Sequence, residues 1–294
     1  MSNRTQILLA TLGGQPQIVT FTLDLLLSKG FDIEEVIVIH PRPADPRLQN
    51  SLRLLRAEFA NNYYKVADRA IGFRSQVLSL DGEPLDDIID DRHADGTLDT
   101  IHQLIGDLKR NGHHIHMSVS GGRRLMPLLA ISVAALNFDH HDTIWHLYTP
   151  MEIQEQADEG AIMHVPIDAG IRLIKGPFIS LGAYIYNQPQ SFQAAHEGQR
   201  SRIDAQEQAK CAAVVRATTS GQLRVLQAFS RGLKAQQVAA ELNIEPVTVH
   251  SHKTVLLRLC HNAWNIDPDE HLDYHFLQTK FAGYFEREEP GERD

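Results

Sequence analysis

The sequence predicts an α/β domain with a parallel sheet core, followed by an all-α domain. Three observations lead there. Short apolar runs alternate with amphipathic helical runs over the first half of the chain, the pattern of a parallel sheet covered on both faces. Three of the apolar runs end in glycine-rich or polar exits, and in such sheets ligands sit beyond the carboxyl ends of the strands. After Thr219 the strand-like runs stop, and three helical runs separated by tight turns follow.

Taken in order, Ile7–Thr11 reads as a buried strand, short and apolar. It exits through Leu12-Gly13-Gly14-Gln15-Pro16-Gln17 into a helix over 18–28, with Val19, Leu23, Leu26 and Leu27 at helical spacing. Pro16 is tolerated at the first turn, where its missing N–H would be unpaired anyway. Val36–Ile39 is a second strand, leaving through His40-Pro41-Arg42-Pro43, and Leu48, Leu52, Leu55 and Phe59 mark a second helix. Gln76–Leu80 reads as a third strand, and the acidic run 86–95 as exposed. Leu98, Ile101, Leu104, Ile105 and Leu108 give a third helix, stopped at Asn111-Gly112. The strand Ile115–Val119 then empties into Ser120-Gly121-Gly122-Arg123-Arg124 and a helix over 125–136. A strand follows over 143–147. Residues 145–148 and 161–166 read as the two strands of a hairpin, with a solvated acidic loop at 152–159.

The exit 120–124 is the centre of the functional reading. Glycines let a backbone approach an anion, and a following helix N-terminus offers unpaired N–H groups. Arg123 and Arg124 add forked, charged donors suited to phosphate. Gly-Gly also ends strands for steric reasons alone, so two readings stand for the motif by itself. The second Gly-Gly exit, 12–17, and the polar exit bearing Arg42 favour the anion site. The chain has neither G-x-G-x-x-G nor G-x-x-x-x-G-K-[ST], which disfavours a nicotinamide dehydrogenase or a P-loop ATPase.

Bulk properties narrow the class. The 294 residues, 43% apolar, suffice for two domains with real cores. No run approaches 18 apolar residues, so no membrane span is expected, and the N-terminus enters a strand and not a signal-peptide core. Two cysteines, Cys211 and Cys260, make no disulfide framework and point to a reducing cytoplasm. Among sixteen histidines, alternation places His114 and His116 on one face, yet no H-E-x-x-H or Cys/His pairing occurs. They read as ordinary polar or half-buried histidines, and no metal or cofactor is expected.

Residues 184–217 are polar and Gln-rich, a connector turning helical toward Lys210. Within 218–266, helices are expected around Leu223–Phe229, Ala235–Leu242 and Val247–Leu259, the outline of a helix-turn-helix. Between Thr219 and Asn262 five basic residues face two acids, in a chain of net charge −9, a modest positive patch of the kind phosphate contact needs. Lys234, Val247, Thr248, His250, Ser251, His252, Lys253 and Arg258 are the candidate DNA contacts, most of them near the start of the third helix. A three-helix packing module without DNA is the competing reading. The segment 267–294 carries nine acids against three bases and reads either as folded back or as a solvated tail.

Two resemblances sharpen these readings. The run from Thr219 through Ser230-Arg231-Gly232-Leu233-Lys234 to His250-Ser251-His252-Lys253 looks like the LuxR-type DNA-binding domain. It departs at Gly221 and Gln222, where charge is usual, and at His250, where lysine is common. Residues 1–183 resemble the CARF domains of type III CRISPR systems, in the branch related to ring nucleases. Ala10-Thr11-Leu12-Gly13-Gly14-Gln15-Pro16-Gln17 and Ser118-Val119-Ser120-Gly121-Gly122-Arg123-Arg124 carry that likeness. The resemblance implies a Rossmann-like homodimer that binds cyclic tetra- or hexa-adenylate across its twofold axis. Thr11, Leu12, Gly13, Gly14, Gln15, Pro16, Gln17, Arg42, Ser120, Gly121, Gly122, Arg123 and Arg124 would be its ligand contacts. Together with double-stranded DNA as a partner, it implies a CRISPR-associated transcriptional regulator. The alternative it implies is a metal-independent ring nuclease, in which the ligand's own 2′-hydroxyl attacks in line. Gln15, which stands where many relatives have serine, would orient that hydroxyl, and Arg123 or Arg124 would stabilise charge.

Overall fold

The computed structural model describes residues 5–178, 191–267 and 269–288. The chain divides into two compact units, Met1–Glu197 and Gly198–Asp294. The sequence-based boundary at 183/184 lies outside the described residues.

The first unit is a mostly parallel six-stranded sheet with helices on both faces. Its strands are β1 (Gln6–Thr11), β2 (Ile33–His40), β3 (Gly72–Val77), β4 (His114–Ser118), β5 (Thr143–Tyr148) and β6 (Arg172–Gly176). They lie in the order β6-β5-β4-β1-β2-β3, with only β6 antiparallel. Alternate side chains of β1 enter opposite layers. Ile7 and Leu9 pack against α3 (Asp91–Arg110) and α4 (Leu125–Asn137), whereas Leu8 and Ala10 pack against α1 (Gln17–Ser28) and α2 (Pro46–Glu58). Asp45 caps α2 by accepting the Arg47 N–H, and Asp90 caps α3 by accepting the His93 N–H, each at 2.9 Å.

Two expectations for this unit are corrected. The third strand starts earlier, at Gly72, and ends at Val77, while Ser79–Leu80 turns into a separate hairpin with Glu83–Pro84. As an edge strand β3 is only half-buried, with Arg74 paired to Glu35 of β2, so it lacks the continuous apolar run of a central strand. Nor do residues 161–166 pair with β5. Its antiparallel partner is β6, with Leu147 opposite Leu173. The expected solvated loop instead contains α5 (Met151–Gln156) and a helical turn at Asp158–Gly160. The 161–166 stretch runs over α1 and α2, where Thr20 donates to the Met163 carbonyl and His164 lies between Asp24 and Glu58, 2.9 and 3.0 Å away.

The second unit is helical. Helix α6 (Phe192–Ala217) leads into α7 (Ser220–Ser230), α8 (Ala235–Leu242), α9 (Pro246–Trp264) and α10 (Tyr274–Glu288). Thr219 and Gln222 close a capping box on α7, and Asn243, left-handed at φ 51°, ends α8. Pro246 opens α9 at its first turn. Cys211 and Val214 of α6 share one core with Val225, Leu226 and Phe229 of α7 and with Val249, Leu256 and Cys260 of α9. Leu277, Phe281 and Tyr284 of α10 complete it. The acidic C-terminal segment, over its described part, therefore folds back through α10, with Asp267, Asp269, Glu270, Asp273 and Glu286 exposed. Both cysteines are free and buried, and burial pushes the Cys260 thiol up to about 12.

Candidate functional site

Neighbours in space, β1 and β4 lead the chain off in opposite directions across the sheet, toward β2 and toward β5. Their carboxyl ends therefore form a topological switch point, where doubly wound sheets hold ligands. Both Gly-Gly exits lie there and pack on each other. The Thr11 hydroxyl, buried, donates to the Gly121 carbonyl at 2.6 Å. A methyl group on Gly121 would sit 2.1 Å from the Thr11 carbonyl oxygen, and one on Gly13 would sit 3.1 Å from Gly122 Cα. Gly122 adopts φ +81°, a conformation that side chains resist. These glycines thus have a steric cause of their own, the close pairing of two loops. Gly14 in turn lies against the Arg47 side chain of α2.

Gln15 is half-buried and its amide is engaged. Nε2 donates to Asp158 at 2.6 Å, while Oε1 accepts from Gln17 Nε2 and from the Glu159 N–H. Both acceptor positions of Oε1 are thereby taken. Leu12, Pro16 and Gln17 are buried around it, with the Leu12 N–H donated to the Ile39 carbonyl at 2.8 Å.

The cations behave differently from one another. Arg42 is held by Asp86 at 3.4 Å and donates to the Pro84 carbonyl at 3.2 Å. Arg123 pairs with Asp87. Arg124, at the N-cap of α4, is exposed and has no ion pair among the described residues. The acids at 86 and 87, read from sequence only as exposed, are thus partners of two of the three candidate arginines.

Sequence reasoning also missed His146. It is the polar residue of β5 on the exposed side, two residues before the strand ends. Its Nδ1 lies 3.3 Å from Ser120 Oγ, which also accepts the Leu147 N–H at 2.6 Å. Both residues line a cavity of about 420 Å3, together with Gln15, Tyr148, Thr149 and Gln154. The only cue in the sequence was a histidine interrupting an apolar strand near its carboxyl end.

His114 and His116 belong to the packing of the sheet. His116, fully buried, lies 3.1 Å from Gln6 through Nε2 and accepts the Trp145 indole N–H at 3.1 Å through Nδ1. Burial, with a smaller contribution from His114, pushes its pKa down to about 3, so it is a neutral core group. His114 lies beside it, ring centres 4.5 Å apart and planes tilted by 34°.

On α9 the candidate DNA contacts separate into two groups. Val249, Leu256 and Cys260 face the core. Val247, His250, Ser251 and Arg258 are exposed on the opposite side, as is Thr254, which the sequence reading did not single out. Thr248, His252 and Lys253 are half-buried, and His252 packs toward the first turn of α7, with Nε2 3.6 Å from a methyl placed on Gly221. Lys234 is exposed before α8. Arg231 is taken up by Glu241, whereas Lys234, Lys253 and Arg258 have no ion pair among the described residues.

The first unit is, by fold and site, a doubly wound α/β domain with two glycine loops paired at its switch point, and an all-helical region follows it. The chain belongs to the CRISPR-associated protein NE0113 family, whose profile matches residues 15–209. No curated protein matches it. Among solved structures, a type III CRISPR defence DNA nuclease activated by cyclic oligoadenylate is 16% identical, with a TM-score of 0.32. That likeness covers 50% of this chain and 19% of the nuclease. The response regulator StyR is 15% identical over 95% of this chain and 99% of its own, with a TM-score of 0.23. Scores this low carry no functional inference. No helix among the described residues is long and apolar enough to cross a membrane.

Proposed function

We propose that this CRISPR-associated protein is a ligand-controlled transcriptional regulator in antiviral defence. Its sheet domain binds a cyclic oligoadenylate, cyclic tetra-adenylate in the first place, across a homodimer, and α9 presents the helical region to double-stranded DNA. The observation that carries the reading is the convergence of both CARF-like glycine loops, Arg123, Arg124 and the α4 N-terminus on one switch point. A phosphate ring needs close backbone approach, forked cations and a helix end, and a twofold axis supplies each of these twice. The dimer reading is supported by α4, which leaves Leu125, Leu128 and Ile131 exposed in a stripe that continues from the arginines. Helices with apolar residues on every side belong in a buried setting. The DNA reading is supported by the exposed face Val247, His250, Ser251 and Arg258 and by Lys234, Lys253 and Arg258, which have no ion pair among the described residues.

Equilibrium binding of cyclic tetra-adenylate tests the first half. Wild type is expected to bind one ring per dimer. The R123A/R124A protein is expected to bind at least a hundredfold more weakly, since each lost charge-assisted contact costs about 1.5–3 kcal/mol. Equal affinity in the double variant would reject the assigned site.

A further inference from the structure

We infer that residues 157–166 form a strap latched by the imidazolium of His164, and that this latch braces the first glycine loop for its ligand. The ligand role of the loop rests on the reading above, whereas the latch itself does not. The strap starts at Ala157, buried in a small core with Phe21, Leu25 and Leu147, and then meets the loop. Asp158 accepts from Gln15 Nε2 at 2.6 Å, and the Glu159 N–H donates to Gln15 Oε1 at 3.1 Å. Gly160 packs so closely that a methyl group there would sit 2.7 Å from Pro16 Cγ. All three residues thus bear on the loop 12–17.

The turn that makes these contacts does not hold itself. Glu159 adopts φ 53°, in the left-handed region that residues other than glycine seldom enter. Its carboxylate pairs with Arg47 of α2 at 2.8 Å, an exposed contact that adds little. The stronger anchor comes further along the strap. Thr20 of α1 donates to the Met163 carbonyl, and His164 sits between α1 and α2. Its Nδ1 lies 2.9 Å from Asp24 Oδ2, and its Nε2 lies 3.0 Å from Glu58 Oε2.

The titratable groups facing His164 are Asp24 from α1, Glu58 from α2 and Tyr64 from the short strand Tyr63–Tyr64. Burial and the Asp24 charge hold the Tyr64 phenol far above its ordinary range. It therefore stays neutral and donates to Asp24 Oδ1 at 2.6 Å. A neutral imidazole has one N–H and one lone pair. Between two carboxylates that lone pair would face an oxygen, so only the doubly protonated ring satisfies both sides. Burial works against the charge, but the bonds and charges of Asp24 and Glu58 outweigh it and raise the pKa. The side chain is 25% exposed, so solvent protons reach it. The latch is closed below the ordinary histidine value and opens as pH rises through the raised one. If the closed latch favours ligand, bound ligand must in turn hold the proton on His164 more tightly.

The test titrates the histidine ring resonances of the full-length protein by NMR, with and without saturating cyclic tetra-adenylate, and assigns His164 from H164Q. Affinity for the same ring is measured at pH 6 and pH 9. His164 is expected to titrate above about 6.5, to move down in E58Q and to move up with ring bound. Wild type is expected to bind the ring about 3–10-fold more weakly at pH 9 than at pH 6. H164Q should lack that loss, and E58Q, which keeps the histidine, should show part of it. His146, at the cavity beside the loop, contributes equally to all three proteins and cancels in the comparison. A His164 that titrates at or below the ordinary value overturns the latch, whatever the ring does. A raised His164 with the same pH-dependent loss in wild type and both variants overturns the bracing. No binding of the ring by wild type at either pH overturns the functional reading and the bracing with it, and the titration alone then decides the latch.

Discussion

In the sheet domain the residues proposed to meet the ligand also hold the sheet edge together. Thr11 bonds to the Gly121 carbonyl, Gly13 lies on Gly122, and Gln15 is clamped by Asp158 and Gln17. In the helical region the two tasks fall on different faces of one helix. Val249, Leu256 and Cys260 pack, and Val247, His250, Ser251 and Arg258 stand outside. The cations differ in the same sense. Arg42 and Arg123 are engaged by Asp86 and Asp87, while Lys234, Lys253 and Arg258 are unpaired among the described residues. Fold and function are therefore coupled in the first site and separable in the second.

The largest effect belongs to the coupled site. G121A places a methyl 2.1 Å from a backbone oxygen that cannot rotate away. It should cost about 3 kcal/mol or more and lower the unfolding temperature of the sheet domain by roughly 10 °C. Wild-type unfolding of this variant, read by calorimetry, would mean the loops are not packed as described.

The separable site should behave otherwise. H250A/S251A is expected to unfold within about 1 °C of wild type yet bind its DNA site roughly 10–100-fold more weakly. R258A should weaken binding to all sequences and reduce the salt slope by about one. A large loss of stability in H250A/S251A would erase the contrast between the two sites.

A smaller effect probes the masked arginines. The Arg123–Asp87 pair is exposed, so breaking it costs only about 0–1 kcal/mol. D87N frees Arg123 and should tighten cyclic tetra-adenylate binding by up to about fivefold. Weaker binding, measured by titration calorimetry, would show that Asp87 supports the site and does not compete for it.

The smallest effect concerns His164, which ties the 161–166 stretch to α1 and α2. Burial lowers its pKa, but hydrogen bonds and charge from Asp24 and Glu58 outweigh that and raise it overall. A raised histidine contributes full stability below its unfolded value, about 6.5, and loses it as pH rises through the folded value. The stability gap between wild type and H164Q should therefore shrink as pH rises from 6 to 9. A gap that widens with pH would reverse the assignment.

How much of this was legible follows from burial. The strands β1 and β2 are covered on both faces, so they appear as unbroken apolar runs such as Ile7–Ala10 and Val36–Ile39. The edge strands β3 and β6, Gly-Phe-Arg-Ser-Gln-Val and Arg-Leu-Ile-Lys-Gly, are half-exposed and carry no such run. The first was therefore misplaced and the second missed, which left β5 with the wrong partner. At the site, the glycine loops were legible because close backbone packing and anion binding select the same residue. The partners Asp87, Asp158 and His146 lie 36, 143 and 26 positions from the residues they touch, and no local pattern records a contact at that range. On α9 periodicity alone separates the buried and exposed faces, but it did not reveal that His252 turns toward α7.

The central claim is that ligand in one unit controls DNA binding by the other. Affinity for a promoter fragment, measured on the whole protein at fixed salt with and without saturating cyclic tetra-adenylate, tests it most directly. The account predicts a change of about 5–150-fold, with the same factor appearing in ring affinity when DNA is saturating. Identical DNA affinity in the two conditions, with ring binding confirmed in the same sample, would contradict it.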